Sequence, residues 1–196
     1  MANHVTTFVR FNNINDAATQ KLKDLLSPLT KDDSNFAKIY RLPVEETNTR
    51  EWYVNNVGAK WCIFDDYDDV GFNLTSAWSF PEDGIKWIIN KLAEVQSDII
   101  TEVRYEDEMP NFFGVRVYKG DPLGDNPIEY GEDEDDIEEI RNQLNLLHPD
   151  LLEEWDDDEE EYSEDGQELY YEYIYDFMND CRDDTIEHFI FYMKDE

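Results

Sequence analysis

Polar and apolar residues alternate over Val5–Phe11, with Val5, Thr7, Val9 and Phe11 on one side, and this predicts a strand. Asn15 and Asp16 then cap a run over 17–26 in which Leu22, Leu25 and Leu26 recur at helical spacing. A less regular stretch over 30–58 carries Pro43, the polar run from Glu45 to Thr49, and then Trp52, Tyr53 and Val54; it reads as an insertion. Two strands are expected next, over 60–64 and 70–80. The second sets Val70, Phe72, Leu74, Trp78 and Phe80 on one face with Ser76 as its polar member, and Asp65 to Asp69 between the strands reads as a hairpin loop. Pro81, Glu82 and Asp83 open a helix, because the first turn has unbonded amides and a dipole end that favours acids. Ile85, Ile88, Ile89, Leu92 and Val95 form its apolar stripe. Strands over 99–105 and 111–119 close the region. The order β-α-β-β-α-β plus one strand predicts an α+β, ferredoxin-like split βαβ arrangement, an antiparallel sheet with helices on one face.

The pattern changes beyond Lys119. Gly120 to Pro127 concentrates Gly, Pro, Asp and Asn, which favour turns, so the expected organisation is a domain over 1–120, a linker over 121–130 and an acidic, aromatic-rich helical domain over 131–196. Ile137, Ile140, Leu144 and Leu147 share one helical stripe, and Pro149 begins a short second run with Leu151, Leu152 and Trp155. Leu169, Tyr170, Tyr173, Ile174, Phe177 and Met178 predict a helix over 167–178. Ile186, Phe189, Ile190 and Met193 predict a last one.

Charge alters this picture more than length does. The 196 residues hold 16 Lys and Arg against 49 Asp and Glu, a formal net charge of −33. Residues 1–119 contain 13 basic and 19 acidic side chains, a net of −6, whereas the remainder has 3 and 30, a net of −27. Direct binding to nucleic acid or an anionic membrane is disfavoured, because each phosphate contact needs a cation to replace its counterion. Acid-rich chains of this kind are commonly disordered, but those are poor in aromatics, and here 5 Trp, 12 Tyr and 11 Phe supply core material. The N-terminus has no signal-peptide pattern and no apolar run of membrane length occurs, so a cytoplasmic protein in its host cell is expected. Cys62 and Cys181 form no metal-ligand spacing and read as reduced structural thiols. The sequon at Asn73 lies inside an expected strand and is discounted.

Several segments together suggest a relative. The opening Met1-Ala2-Asn3-His4, the Trp52 to Gly58-Ala59-Lys60-Trp61 stretch, the junction from Thr75 through Trp78 to Pro81, and Tyr105-Glu106 followed by Phe113-Gly114 resemble the YubB-like ferredoxin-fold family of phage and plasmid proteins. The resemblance covers residues 1–119, with departures at Val57 and Phe80. It implies a ferredoxin-like fold and a mobile-element origin, and no catalytic activity.

Catalytic and metal motifs are lacking in the sequence. His4, His148 and His188 are isolated from any hydrolase or phosphate-loop pattern, and an EF-hand loop begun at Asp156 has Glu161 where the turn glycine belongs. No enzyme, no cofactor and no dedicated metal site is therefore expected; weak divalent-cation condensation on the acidic block is an outside reading. Carboxylates held on a rigid scaffold can stand in for phosphates and occupy the basic groove of a nucleic-acid-binding protein. The expected contact surface comprises Glu132, Asp133, Glu134, Asp135, Asp136, Glu138, Glu139, Glu153, Glu154, Asp156, Asp157, Asp158, Glu159, Glu160, Glu161, Glu164, Asp165, Glu168 and Glu172. The expected partner is a basic host protein that binds or processes nucleic acid, inhibited by DNA mimicry. The alternative is a structural or interaction protein that docks through its sheet or through a Trp52, Trp61 and Trp78 cluster.

Overall fold

The computed structural model describes residues 3–108, 113–119, 128–130, 142–149, 151, 155–156 and 161–194. The chain divides into two compact units, Met1–Glu108 with Val115–Pro127, and Met109–Gly114 with Ile128–Glu196.

The first unit is a mixed α+β structure built on an open antiparallel sheet. In chain order come β1 (His4–Phe11), α1 (Asp16–Leu26), a 3-10 helix (Phe36–Tyr40), α2 (Val44–Thr47), α3 (Arg50–Asn56), β2 (Cys62–Tyr67), β3 (Gly71–Ala77), α4 (Glu82–Ala93), β4 (Ile100–Asp107) and β5 (Phe113–Lys119), whose first two residues belong to the second unit. The strands lie in the order β2-β3-β1-β4-β5. β1 pairs antiparallel with both β3 and β4, and β2 pairs antiparallel with β3. Val5, Thr7, Val9 and Phe11 of β1 are buried, as the period-two pattern requires, while Phe8 and Arg10 point to the opposite face. Val9, Phe11, Phe64, Phe72, Leu74 and Val103 from the strands join Ala18, Leu22 and Leu26 of α1 and Ile85, Ile88, Ile89 and Leu92 of α4 in one core cluster. Each of these side chains larger than alanine contributes about 1.5–3 kcal/mol on burial, which outweighs the weak intrinsic helix preference of the β-branched ones in α4.

Local sequence explains where the elements start. The Asn15 side chain accepts the Ala18 amide at 3.0 Å and Thr49 accepts the Trp52 amide at 3.1 Å, each satisfying an otherwise orphaned donor. The stretch over 30–58 consists of short helices that cover the core: Phe36, Ile39, Tyr53 and Val57 are all buried. At its exit the Gly58 amide donates to the Tyr53 carbonyl at 3.2 Å and ends α3, and the φ of +87° that glycine allows turns the following chain away from the helix.

Two strand expectations and one helix expectation are corrected. β2 runs on through Asp65 and Asp66 to Tyr67, with a register irregularity between Phe64 and Asp66, so the hairpin turn is shorter than the five-residue acidic loop expected. β3 stops at Ala77. Trp78 adopts φ 72°, and this left-handed residue turns its side chain out of the expected core stripe to 51 % exposure. Val95 likewise falls beyond α4 and is exposed.

Within the second unit, the described residues include a short strand β6 (Ile128–Tyr130), a helical segment over 142–147, a two-residue ladder between β7 (Trp155–Asp156) and β8 (Glu161–Tyr162), and a helix over Glu164–Lys194. Trp155 is thus a strand residue, not part of a helix as expected. The two helices expected over 167–178 and 186–193 are one continuous helix of 31 residues. Leu144, Leu151, Ile174 and Phe113 are buried together, with Leu169, Tyr170, Tyr173 and Phe177 packed around them. Leu147, expected on the same stripe as Leu144, is instead 66 % exposed; Ile137 and Ile140 lie outside the described residues.

Candidate partner-binding surface

The C-terminal helix begins at Ser163, whose Oγ accepts the Gly166 amide at 3.1 Å and whose carbonyl accepts the Gln167 amide at 2.8 Å. Glu164 and Asp165 occupy the first turn, where unbonded amides and the helix dipole favour negative charge. Farther along, Glu168, Glu172, Asp176, Asp180, Asp183, Asp184 and Glu187 are all exposed. At about 100° per residue these seven carboxylates fall within an arc of about 160°, so they line one side of the helix. Residues 168 to 187 span about 28 Å, giving one carboxylate per about 4–5 Å of axis. A single DNA strand carries one charge per about 3.4 Å and the duplex one per about 1.7 Å, so this face approaches the strand value and falls short of the duplex. The buried Ile174 and the half-buried Tyr170 and Phe177 hold the helix from outside this arc, while the core-packed Leu169 and Tyr173 fall within it, between the carboxylates. His148 stacks on Tyr173 at 3.6 Å between ring centroids, a further anchor for the same turn.

Of the residues expected in the contact surface, Glu164, Asp165, Glu168 and Glu172 lie on this helix. Asp156 and Glu161 are register partners in the two-residue ladder. Glu132, Asp133, Glu134, Asp135, Asp136, Glu138, Glu139, Glu153, Glu154, Asp157, Asp158, Glu159 and Glu160 lie outside the described residues. Asp176, Asp180, Asp183, Asp184 and Glu187 extend the acidic face and are absent from the expected set. The signal was present as four-residue spacing through 172, 176, 180 and 184, but the polar run from Asn179 to Asp184 reads in sequence as a break between helices.

The three tryptophans of the alternative surface have separate surroundings. Trp52 meets Tyr40 and Tyr53 edge-on, Trp61 meets His4, and Trp78 lies under the Lys60 ammonium at 3.7 Å. Cys62 is fully buried, and burial pushes its thiol well above the ordinary range, which removes the thiolate a nucleophile needs. Among the described residues no group of three or more His, Cys, Asp or Glu is placed to hold a metal ion, and no helix is long and apolar enough to cross a membrane. No family model, curated protein or solved structure matches the chain.

Proposed function

We propose that this chain is a phage or mobile-element protein of anti-defence type, acting in the host cytoplasm, which binds a basic nucleic-acid-binding or nucleic-acid-processing host protein and inhibits it as a DNA mimic. The observation that carries the reading is the exposed carboxylate face of the C-terminal helix. A preordered row of charges loses less conformational freedom on binding than a mobile acidic tail would, so its electrostatic attraction converts more fully to affinity. Like charges on neighbouring turns cost about 0.2–0.5 kcal/mol per pair, a penalty that solubility alone does not require. The ferredoxin-like description of the first unit belongs to the same proposal. It is supported by the strand order β2-β3-β1-β4, with the first strand central and each helix leading to a non-adjacent strand.

The test is capture of partners from host lysate with the intact protein, followed by competition. A decoy's partner is released by rising salt and by added duplex DNA, and the triple variant Glu172→Lys, Asp176→Lys, Asp180→Lys weakens capture by about three- to a hundredfold, as three reversed charges at about 0.2–1 kcal/mol each would do. Binding indifferent to both salt and duplex DNA refutes mimicry. A second reading, docking through the first unit, is favoured by Trp78, an exposed aromatic held in a costly backbone conformation. Under that reading Trp78→Ala abolishes capture and the helix variant does not.

A further inference from the structure

The sheet face turned away from α1 and α4 holds a hollow of about 500 Å³ bordered by β1, β3, β4 and the β2–β3 hairpin, within the size range of small-molecule sites. The Phe8 ring on the central strand is 42 % exposed there. Phe8 stands between Asn73 of β3 and Arg104 of β4, its two cross-strand partners. Opposite Arg10 is Gly71, where a Cβ would meet the Val9 carbonyl oxygen at 2.2 Å. That position therefore stays bare, and the floor beside Arg10 stays open.

The charged groups around this floor differ in how they are engaged. Arg104 Nε donates to Glu102 Oε1 at 2.7 Å, so each offsets the other's charge. Asp66 and Asp68 accept the Tyr67 and Val70 amides at 2.9 and 2.8 Å and shape the hairpin. Arg10 lines the hollow with no hydrogen bond or ion pair among the described residues. An exposed aromatic face takes a stacked planar ring, and the Asn73 carboxamide offers both a donor and an acceptor to that ring's edge. One unengaged guanidinium suits one phosphate.

We infer that this hollow is a binding site for a nucleoside monophosphate, with the base on Phe8 and the phosphate on Arg10. The net charge of −33 decides the length of the ligand. Every phosphate beyond the first adds repulsion without a further free cation to meet it, so triphosphates and single-stranded RNA bind less well than the monophosphate.

Isothermal titration of the intact protein with AMP tests this, with adenosine, ATP and an oligoadenylate as comparisons. The expected dissociation constant for AMP is on the order of 0.1 mM, tighter than for any of the other three. Phe8→Ala weakens AMP by about tenfold, the usual loss of one base–aromatic stack. Arg10→Gln reduces AMP to the affinity of adenosine and leaves adenosine itself unchanged. Both positions are exposed, and unchanged melting temperatures show that the variants fold. The inference is overturned if AMP shows no saturable binding, if ATP or oligoadenylate binds more tightly than AMP, or if Phe8→Ala binds AMP as well as the parent. The AMP-to-ATP ranking needs no variant, and none of these outcomes depends on the acidic helix.

Discussion

Glu82 shows how a single side chain ties helix, strand and pH together. It sits in the first turn of α4, where it meets Lys86 one turn on and Arg116 of β5 at 2.5 Å. Burial acts to raise the Glu82 carboxyl, but hydrogen bonds and charge from Lys86 and Arg116 prevail and hold it below its ordinary value of 4.5. A carboxyl with a depressed folded pKa stabilises the fold above 4.5, and that contribution is lost as pH falls through the lower folded value. Glu82→Gln is therefore expected to cost about 2 kcal/mol at neutral pH, because it removes a charged hydrogen-bond acceptor from Arg116, which is half-buried over Phe80 and Tyr105. In urea melts the gap between parent and variant should narrow as pH falls below 4.5 and close below the depressed folded value, and a gap constant from neutral to acid pH would show that the ion pair is not its source. Gly84, two residues on, is set by space. A Cβ there would approach the buried Phe36 ring to 2.8 Å, so Gly84→Ala should destabilise by about 1–3 kcal/mol despite alanine's better helix propensity.

Among elements, the C-terminal helix carries two opposed demands. Its packed side is anchored through Ile174, which is buried against Leu144, Leu151 and Phe113, while its other side crowds like charges at four-residue steps. Packing exceeds repulsion in magnitude, since truncating a buried isoleucine costs about 2–5 kcal/mol and one like-charge pair only about 0.2–0.5 kcal/mol. Thermal melts followed by far-ultraviolet circular dichroism should show Ile174→Ala melting well below the parent, and Asp176→Asn melting slightly above it. Equal and small shifts would mean that Ile174 is not what holds the helix.

At the scale of the whole molecule, a net charge of −33 makes self-repulsion a general opponent of folding. Added sodium chloride screens that repulsion with a Debye length falling from about 30 Å at 0.01 M to about 8 Å at 0.15 M. The melting temperature should consequently rise with salt, even though the same salt weakens binding to a basic partner. A melting temperature that falls with salt would indicate that specific ion pairs such as Lys23–Asp69 outweigh the net repulsion. The two salt responses have opposite signs, so partner release by salt cannot be mistaken for unfolding.

Much of the element order was legible in the chain because period-two and helical spacings are local properties: the inward residues of β1 and the stripe Ile85, Ile88, Ile89 and Leu92 read directly from the sequence. The location of the negative charge was equally plain. Tertiary structure alone decided which strands are neighbours, since the Phe8 register with Asn73 and Arg104 joins residues 65 and 96 positions apart through hydrogen bonding that no local pattern encodes. It alone decided the exposure of Trp78, where one left-handed residue overrides the alternation of its neighbours. It also joined two expected helices into one, because the polar run from Asn179 to Asp184 is as compatible with a solvated helix face as with a loop. Local spacing specifies which face of an element is apolar; the meeting of distant residues depends on how those faces pack.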